Sequence, residues 1–535
     1  MAASLREQVW AMLRALGVDS VFGNPGSTEL TMLAGFPPDL RYYLGLQEAA
    51  VVLMADGYAQ VTRRPVLVNL HTGPGLGNAV GSLLTAAWSR APLVVTAGQQ
   101  VRAMITQQNW LVNVDATTVP RPAVKWSFEP PRPQDVPAAL ARAVHTAQAA
   151  PSGPVFVSLP MDDWSAAADQ SEVDDLAARV VRHRAAPAAE AVAEVVRAVD
   201  GASRPALVLG AATTAEGDWD NAHRLAERAG LEVFTAPSSG RNVFDETSPW
   251  FRGFLPFGAS QIGERLAGYD VVLVVGAPAF TCYPYSPGRF VSPGAKLFQL
   301  TDDPDEAARA PLGTSVIGDP GRALADLAGR VAERKRTPPE PRPVRPVTAS
   351  GATGRPTSDS VYAHLAGVIT PQVRVAQESP SNLAEFHDRV RLSTPDSFLT
   401  TPSGGLGYGL AAGVGAAIAD PSRPVLAIIG DGSLHYSSSA LWTAAQAGAP
   451  IVTVVMANRE YAILKAFAGF NHVAGAVPGL DLPGLDAVSL AQGYGVPGRR
   501  VEDPATLAAL VKDALAARKP ALFEIPTDPA VPPLL

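Results

Sequence analysis

Val425-Leu-Ala-Ile-Ile-Gly430-Asp431-Gly432-Ser433 is an apolar run that ends in a glycine-rich turn, and a second apolar run, Ile451 to Met456, ends in Ala457-Asn458. The segment between the runs is helix-like, so we expect them to be neighbouring parallel strands. Asp431 and Asn458 would then follow the carboxyl ends of these strands, where their oxygens can share one Mg²⁺ or Ca²⁺. Glycines beside Asp431 let backbone N–H groups approach a phosphate, whose charge the metal would neutralise.

The composition is that of an ordinary globular protein. The sequence has 535 residues, of which 47% are hydrophobic and 17% charged, and its net charge is −7. This charge does not indicate a nucleic-acid surface, and no apolar run approaches the roughly 18 residues that a membrane span needs. Cys282 is the single cysteine, which excludes an intrachain disulfide and a cysteine zinc site. The first residues, with Glu7, predict a helix start and not a signal peptide, so we expect a cytoplasmic protein.

Short Val/Ile/Leu-rich runs alternate with Ala-rich stretches along the chain, which predicts an α/β fold of parallel sheets covered by helices. We predict three such domains, at residues 1–180, 187–335 and 357–535, with an exposed Pro- and Arg-rich linker over 336–356. The first and third blocks are candidates for similar folds. The other predicted strands are 20–22, 65–70, 92–96 and 154–159 in the first block, 205–209, 233–235, 271–275 and 296–300 in the second, and 521–525 in the third.

Three polar residues of the first block are candidates for function. Ser27 follows a strand and a Gly/Pro turn, where its hydroxyl beside helix N–H groups would suit a carboxylate substrate. Glu48 lies at the edge of a helix-like stretch, and His71 comes directly after a strand. Taken alone, these residues are equally typical of a helix N-cap, a solvated charge and a structural hydrogen bond.

Taken together, the motifs of the chain resemble the benzoylformate decarboxylase branch of the 2-oxo acid decarboxylases that depend on thiamine diphosphate (ThDP). The matching segments, in order, are Gly23-Asn-Pro-Gly-Ser27, Leu46-Gln-Glu48, Asn69-Leu-His71, Thr96-Ala-Gly-Gln-Gln100, Arg102-Ala-Met104, Asn113-Val-Asp115, Arg121-Pro122, Val124-Lys-Trp126, Gly276-Ala-Pro278, Glu306-Ala-Ala-Arg-Ala-Pro311, Gly404-Gly-Leu-Gly407 and Ala440-Leu-Trp-Thr-Ala-Ala-Gln446. Coincidence at one motif is plausible, but coincidence at all of them is not.

The resemblance implies three doubly wound parallel-sheet domains. The first would bind the ThDP pyrimidine, the second is the central domain, and the third would bind the ThDP diphosphate with its metal. It also implies active sites at a subunit interface and a homotetramer built from two dimers. The implied reaction is the non-oxidative decarboxylation of a benzoylformate-like 2-oxo acid to an aldehyde and CO₂ through an enamine.

The resemblance also assigns roles to residues. Glu48 would hydrogen-bond the aminopyrimidine ring, His71 would move protons, Ser27 would hold the substrate carboxylate, and Leu406 would wedge beneath the cofactor. The implied metal ligands are Asp431, Asn458 and the main-chain oxygen of Glu460. The implied cofactor contacts are Asn24, Gly26, Glu48, Gly404, Leu406, Asp431, Gly432, Ser433, Asn458 and Tyr461. The implied substrate pocket is Ser27, His71, Leu111, Ile463 and Phe467.

The chain departs from the family pattern at several positions. Tyr283 stands where the benzoylformate enzymes have a second catalytic histidine, and a phenol is a poorer proton shuttle near neutral pH. His472 is a candidate replacement, although a surface-loop histidine is the more ordinary interpretation. Pro380 replaces a hydroxyl near the diphosphate, for which Ser379 or Ser381 could compensate. Ile463, on a helix predicted to begin at Arg459, replaces a smaller residue and would narrow the pocket in favour of slimmer or aliphatic substrates.

Two other functions stay open. The Asn-Arg-Glu-Tyr-Ala-Ile-Leu stretch from Asn458 also resembles the acetolactate-synthase-like branch, which makes a ThDP-dependent carboligase or lyase the first alternative. A non-catalytic ThDP-binding homologue is the second, but it does not explain why Glu48, Asp431 and Asn458 occur together. The sequence contains no P-loop, no complete dinucleotide fingerprint and no Gly-x-Ser-x-Gly motif.

Overall fold

The computed structural model describes residues 3–531, so residues 1–2 and 532–535, at the ends of the predicted first and third domains, lie outside the described residues. Three six-stranded sheets follow one another along the chain, and neighbouring strands in each are parallel. The strands of the first sheet are β1 Ser20–Gly23, β2 Arg41–Leu44, β3 Val66–Leu70, β4 Leu93–Gln99, β5 Ser127–Phe128 and β6 Val155–Pro160. Those of the second are β7 Pro205–Leu209, β8 Glu232–Thr235, β9 Phe251–Phe254, β10 Val271–Val275, β11 Lys296–Thr301 and β12 Thr314–Ile317. Those of the third are β13 Arg374–Glu378, β14 Phe398–Thr400, β15 Val425–Gly430, β16 Ile451–Ala457, β17 Gly498–Arg500 and β18 Ala521–Pro526.

Helices cover both faces of each sheet. The first sheet has α1 Leu5–Ala15, α2 Leu30–Leu33, α3 Glu48–Thr62, α4 Thr72–Trp88, α5 Arg102–Ile105, α6 Val136–Gln148 and α7 Gln170–Ala178. The second has α8 Ala189–Gly201, α9 Asp218–Ala229, α10 Ala259–Arg265, α11 Pro304–Ala308 and α12 Pro320–Arg330. The third has α13 Ser358–Ala366, α14 Leu383–Arg389, α15 Tyr408–Ala419, α16 Asp431–Ser437, α17 Ala440–Ala447, α18 Ala462–Phe470, α19 Ala487–Gly493 and α20 Pro504–Ala517. The prediction of three doubly wound parallel-sheet domains is confirmed.

The first and third sheets share one topology. Their strand orders are β2-β1-β3-β4-β6-β5 and β14-β13-β15-β16-β18-β17, which are identical when each sheet is counted from its own first strand. The second sheet has the order β12-β11-β10-β7-β8-β9, the classic dinucleotide-fold arrangement read from its other edge. In the first and third sheets the strand order reverses between β1 and β3 and between β13 and β15. Crevices at such reversals are where open α/β sheets bind ligands.

The first and third domains are joined along α3 and α15. A Cβ atom at Gly57 would lie 2.0 Å from the Ala412 carbonyl oxygen, and one at Gly415 would lie 1.9 Å from the Met54 carbonyl oxygen. Only glycine therefore permits this backbone-to-backbone approach. The contact fixes where the N-termini of α3 and α15 lie relative to each other.

The stretch predicted as a linker, 336–356, contains only an isolated bridge between Ser350 and Pro356. Ion pairs tie the central domain to its neighbours: Arg90 of the first domain contacts Asp302 and Glu306, and Arg241 contacts Asp396 of the third. Within residues 3–531, no helix combines the length and apolar character needed to cross a membrane.

Candidate active site

Glu48 is the first residue of α3, and its carboxylate is held between two asparagines. Asn24, in the turn after β1, donates its side-chain N–H to Glu48 Oε1 at 3.0 Å, and Asn78 of α4 donates to Oε2 at 3.0 Å. The side chain is buried, and among the described residues no basic group forms an ion pair with it. An uncompensated carboxylate at this depth is costly unless a further partner binds it. Glu48 is therefore a candidate functional group and not a solvated charge.

His71 is the N-cap residue of α4, and a second buried carboxylate orients its ring. His71 Nδ1 lies 2.9 Å from Glu29 Oε2 and 3.3 Å from the Thr28 hydroxyl. Glu29, which is 1% exposed, also accepts the backbone N–H groups of Gly26 and Gly98, each at 2.7 Å. Because the carboxylate accepts a hydrogen bond from Nδ1–H, it leaves Nε2 as the ring nitrogen that can exchange protons with a ligand.

Glu48 and His71 flank the same glycine. A Cβ atom at Gly75 would lie 3.3 Å from Glu48 Oε1 and 3.4 Å from His71 Cβ. A Cβ atom at Gly26 would lie 2.1 Å from His71 Nδ1, so glycine is needed there as well. Ser27 follows Gly26 and is exposed, but α2 begins only at Leu30, so the hydroxyl is presented by a turn and not by a helix start as predicted.

Leu111 lies on a loop whose position depends on a reciprocal pair of hydrogen bonds. The Gln99 side chain donates to the Asn113 carbonyl oxygen at 2.9 Å and accepts the Asn113 N–H at 2.9 Å. Leu111 remains 39% exposed, and Trp110 beside it is 93% exposed. An exposed apolar loop held this firmly at the end of β4 is available to contact a ligand or another chain.

A cleft of the third domain collects most of the residues predicted to bind the cofactor and the metal. It lies at the carboxyl ends of β13, β15 and β16, at the strand-order reversal of the third sheet. The residues that line it are Ser379, Pro380, Ser381, Asn382, Leu406, Gly430, Asp431, Gly432, Ser433, Met456, Asn458, Glu460, Tyr461, Ala462, Ile463 and Thr527. Of the predicted cofactor contacts in this domain, only Gly404 is not a lining residue. Pro380 and both candidate substitutes for its missing hydroxyl, Ser379 and Ser381, do line the cleft.

Asp431 is the first residue of α16, and its carboxylate is oriented by two backbone groups. Oδ1 accepts the N–H of Gly432 at 2.9 Å, and Oδ2 accepts the N–H of Arg459 at 2.8 Å. Burial raises the pKa of Asp431, although these two N–H groups act in the opposite direction. Each carboxylate oxygen retains a lone pair for a cation, because a carboxylate can accept about four interactions.

The two other predicted metal ligands lie on the turn after β16. Asn458 Oδ1 accepts the N–H of Glu460 at 3.2 Å. Glu460 pairs its side chain with Lys465, while its Oε1 is buried without a partner. Arg459 has a left-handed backbone with φ of 65°, and α18 begins at Ala462, so the prediction of a helix from Arg459 was wrong by three residues. Within residues 3–531 no group of three His, Cys, Asp or Glu side chains could hold a metal, which leaves a mixed set of carboxylate, amide and carbonyl oxygens.

The substrate-side residues are split between domains. Ile463 lines the cleft, and Phe467 lies one turn later on α18, as the i, i+4 spacing predicts. The ring of Tyr283 from the central domain packs against Phe467 with a centroid distance of 5.1 Å, although Tyr283 is 68% exposed. His472 is exposed on the segment after α18 and does not line the cleft, which favours the surface-loop interpretation.

The structure therefore assembles two groups of residues. Asn24, Gly26, Ser27, Glu48 and His71 come together in the first domain, and the metal and cofactor residues come together in the third. Every residue that lines the third-domain cleft belongs to residues 379–527, and none comes from the first domain.

Sequence reasoning missed two residues of the first group. Asn78 and Glu29 form the hydrogen bonds that hold Glu48 and His71, yet each is distant in sequence from the group it orients. The signal for Glu29 was its position two residues after Ser27, just beyond the matching segment Gly23-Asn-Pro-Gly-Ser27.

Comparison with known protein families gives one match within each of the three domains. Residues 3–119 match the description "Thiamine pyrophosphate enzyme, N-terminal TPP binding domain", residues 192–327 the central domain of the same enzymes, and residues 381–525 their C-terminal TPP binding domain.

Individual relatives cover nearly all of the chain. It is 43% identical to a benzoylformate decarboxylase of Pseudomonas aeruginosa, with 98% of each chain covered. It is 29% identical to a putative acetolactate synthase large subunit of Mycobacterium tuberculosis, over 95% of this chain and 96% of that one. Among solved structures, a ThDP-dependent 4-hydroxybenzoylformate decarboxylase of Rhodococcus jostii aligns with a TM-score of 0.96 at 42% identity, over 99% of this chain and 100% of that one. A benzoylformate decarboxylase of Polynucleobacter necessarius gives a TM-score of 0.96 at 38% identity, with the same coverage.

Proposed function

Since the chain belongs to the thiamine pyrophosphate enzymes and is a ThDP-dependent 2-oxo acid decarboxylase of the benzoylformate decarboxylase branch, we propose that its substrates are benzoylformate-like 2-oxo acids and that Glu48, His71, Ser27 and Tyr283 perform the reaction. The observation that carries the residue assignment is the buried Glu48 carboxylate, which two asparagines hold and no described basic side chain neutralises. The acetolactate synthase relative is more distant, at 29% identity, so decarboxylation is favoured over carboligation.

The third-domain cleft fits the diphosphate end of ThDP and a divalent cation. Asp431 and the Asn458 side chain offer oxygen ligands, and the main-chain oxygen of Glu460 would supply a third. Mg²⁺ or Ca²⁺ would neutralise a buried carboxylate that has no ion-pair partner among the described residues. A Cβ atom at Gly432 would lie 2.5 Å from the Tyr461 ring, so only glycine lets these two lining residues meet in the cleft.

Each remaining residue has a role that its position supports. When bound, ThDP supplies the electron sink that accepts the electron pair released as CO₂ leaves. Glu48 would hold the aminopyrimidine by a hydrogen bond, and Asn24 and Asn78 keep its carboxylate in place. His71 would give and take protons at Nε2, because Glu29 occupies Nδ1. Ser27, exposed beside His71, would donate its hydroxyl to the substrate carboxylate.

Tyr283, Ile463, Phe467 and Leu111 would shape the substrate end of the site. Tyr283 would donate a hydrogen bond where relatives of the benzoylformate branch have a histidine, and its ring contact with Phe467 supports a wall shared by the two. Ile463 lines the cleft itself and would narrow it. We therefore expect the enzyme to prefer slimmer or aliphatic 2-oxo acids over those with a phenyl ring. Each methylene group in such a pocket changes the discrimination between substrates by about 1–3 kcal/mol.

A second copy of the chain would complete the site. Glu48 and His71 are not among the residues that line the cleft around Asp431. Apolar side chains just before α3, along α4 and near the C-terminus of α16 are exposed in the single chain, namely Leu46 at 46%, Leu84 at 43%, Trp88 at 51% and Tyr436 at 53%. We propose that they are buried in a homodimer whose active sites join the first domain of one chain to the third domain of the other, and that two dimers form the tetramer. A cytoplasmic location is consistent with the single cysteine.

The reaction is tested by measuring CO₂ release with added ThDP and Mg²⁺ from benzoylformate, pyruvate, and longer and branched 2-oxo acids. Glu48→Gln should keep ThDP binding, measured by calorimetry, and lower turnover by about 10²- to 10⁴-fold. Full activity of Glu48→Gln would overturn the role of this residue. No CO₂ from any substrate, with ThDP bound, would indicate a carboligase or lyase that acts on other donors. A carboligase that uses pyruvate would release CO₂ but yield a 2-hydroxy-ketone product in place of the aldehyde.

The shared site is tested by mixing two inactive variants, Glu48→Gln and Asp431→Asn. If Glu48 of one chain meets Asp431 of the other, each mixed dimer contains one site with both native residues. Random mixing should then restore about a quarter of the wild-type rate. Mixtures that stay inactive, despite forming mixed dimers, would place both residues in a site made by one chain.

A further inference from the structure

Glu378 is a buried carboxylate at the strand-order reversal of the third sheet, and the roles described above do not use it. It is the last residue of β13 and pairs with Ile429 of β15, which leads directly to Asp431. Only 2% of its surface is exposed, and among the described residues no basic side chain forms an ion pair with it. Burial raises the pKa of Glu378 to about 7. Burying a carboxylate is unfavourable unless hydrogen-bond donors compensate for the lost hydration.

The carboxylate is satisfied by the start of another element. Glu378 Oε1 accepts the N–H of Gly407 at 2.6 Å, and Oε2 accepts the N–H of Gly409. Both N–H groups belong to the N-terminus of α15, whose N-cap residue, Gly407, has no side chain to satisfy them. Glu378 therefore caps α15 from a separate strand, where the helix dipole also favours a negative charge.

The contact requires glycine at position 409. A Cβ atom there would lie 2.6 Å from Glu378 Cβ, well inside van der Waals contact. Any larger residue at position 409 would therefore displace the Glu378 side chain.

Leu406 comes immediately before the clamped amide of Gly407. It lies on a short loop with two left-handed glycines, Gly404 at φ of 74° and Gly407 at φ of 103°. Because glycine permits many backbone conformations, the loop needs a contact to hold it in one of them. Leu406 itself is half-buried and lines the cleft with Asp431 and Asn458. Hydrogen bonds hold the residues on both sides of Leu406: the Gly405 N–H donates to the Ser403 hydroxyl at 3.1 Å, and the Gly407 N–H donates to Glu378. The second bond ties the loop to the buried end of β13.

We propose that Glu378 is a positioning residue that holds Leu406 against the bound cofactor by clamping the amides of Gly407 and Gly409. The proposal rests on the proposed function, in which Leu406 supports ThDP from below. Glu378 is not placed in contact with cofactor or substrate, so its effect on the reaction is exerted through Leu406.

The test is a double-mutant cycle with Glu378→Gln and Leu406→Ala. Glutamine keeps the volume but can accept only one of the two N–H groups and turns an amide donor toward the other. Loss of one charge-assisted hydrogen bond should lower kcat by about 10- to 100-fold, with a smaller change in KM for the 2-oxo acid. The affinity for ThDP with Mg²⁺, measured by titration calorimetry, should weaken with it. If Glu378 acts through Leu406, the double variant should be no worse than Leu406→Ala.

A matched control and a second variant separate this role from general destabilisation. Asp359→Asn removes another buried carboxylate of the third domain, one paired with Arg389 away from the cleft, and should lower Tm while kcat and ThDP affinity stay at wild-type values. Gly409→Ala keeps the carboxylate but displaces it, and should reproduce the loss seen with Glu378→Gln.

Three outcomes would overturn the inference: losses that multiply in the double variant, wild-type kcat and ThDP affinity in Glu378→Gln, or an equal loss of kcat in Asp359→Asn. A wild-type protein that binds no ThDP would instead overturn the proposed function and the inference with it. The two failures are distinguishable, because the first appears only against an active wild-type enzyme.

Discussion

Replacing Glu29 by glutamine should remove the hydrogen bond that orients the His71 ring while leaving the substrate-facing residues in place. Four hydrogen-bond donors converge on the Glu29 carboxylate: the backbone N–H groups of Gly26 and Gly98, the Thr28 hydroxyl and the His71 ring N–H. The two on Oε2 come from Gly26 and His71. A glutamine has one carbonyl oxygen and one NH₂ group, so its NH₂ group must face one of the two pairs of donors.

The geometry sets the size of the effect. Each buried donor left without an acceptor costs about 1–3 kcal/mol. If the NH₂ group turns toward Gly26 and His71, the imidazole loses its 2.9 Å hydrogen bond and can turn away from the reaction. We therefore expect Glu29→Gln to lower kcat/KM by about 10- to 100-fold, corresponding to about 1.4–2.8 kcal/mol. The opposite orientation of the amide would leave Gly98 and Thr28 unpaired and would mainly lower Tm.

The assay is steady-state decarboxylation of the best 2-oxo acid, measured for Glu29→Gln, His71→Ala and the double variant, with ThDP affinity and Tm recorded for each. Asp163→Asn is the matched control, because Asp163 is a buried carboxylate of the same domain paired with Arg102. The control should lose stability but keep its kcat/KM. The double variant should be no slower than His71→Ala, since Glu29 then has no ring to orient.

The reasoning would be refuted by wild-type kcat/KM in Glu29→Gln at unchanged ThDP affinity. It would also be refuted if Glu29→Gln slowed the His71→Ala enzyme by the same factor as the wild type, because Glu29 would then act independently of the imidazole.

Ile463→Ala should widen the cleft and raise kcat/KM for bulkier 2-oxo acids relative to pyruvate by about 10-fold or more; an unchanged ratio across the substrate panel would remove Ile463 from the pocket wall. Tyr283→His should raise benzoylformate turnover by about 10- to 100-fold, because imidazole exchanges protons near neutral pH and a phenol does not, whereas a Tyr283→Phe enzyme as active as Tyr283→His would contradict a proton-transfer role. Burial raises the pKa of Asp56 to about 7, so the folded protein binds the Asp56 carboxyl proton more tightly than the unfolded chain does. The contribution of Asp56 to the free energy of unfolding should therefore fall as pH rises from about 4 to 7. Asp56→Asn should flatten that fall in Tm measured at successive pH values, and an unaltered pH dependence would show that Asp56 is not the group responsible.

The strands that sequence reasoning located are the apolar ones. Every predicted strand is present, with bounds that differ by no more than three residues. β13 was missed although it is an interior strand of the third sheet, because Arg374, Gln377 and Glu378 give it a polar sequence. All of its residues are nevertheless buried. Partners farther along the chain bind two of these side chains: Gly407 donates to Glu378, and Arg374 Nε donates to the Asp396 carbonyl oxygen.

The candidate site divides in the same way. Asp431 and Asn458 could be named from sequence because each directly follows an apolar strand, and parallel neighbouring strands must bring their ends together. Glu29 and Asn78 could not, because the reason for them is a hydrogen bond to a residue 30 or more positions away. Tyr283 could be recognised as a departure from the family pattern, but its packing on Phe467 depends on how the central and third domains meet.

The sequence by itself determined the periodic features of this protein: parallel α/β layers, glycine turns at strand ends, and the series of motifs that identifies the family. These are local, since strand propensity, apolar burial and turn geometry act over a few residues. Only the tertiary structure decided which buried carboxylates are paired and with what, and that the residues around Glu48 do not line the cleft of Asp431. The physical reason is that the cost of burying a charge is met by donors brought close in space, and the order of residues along the chain does not specify that proximity.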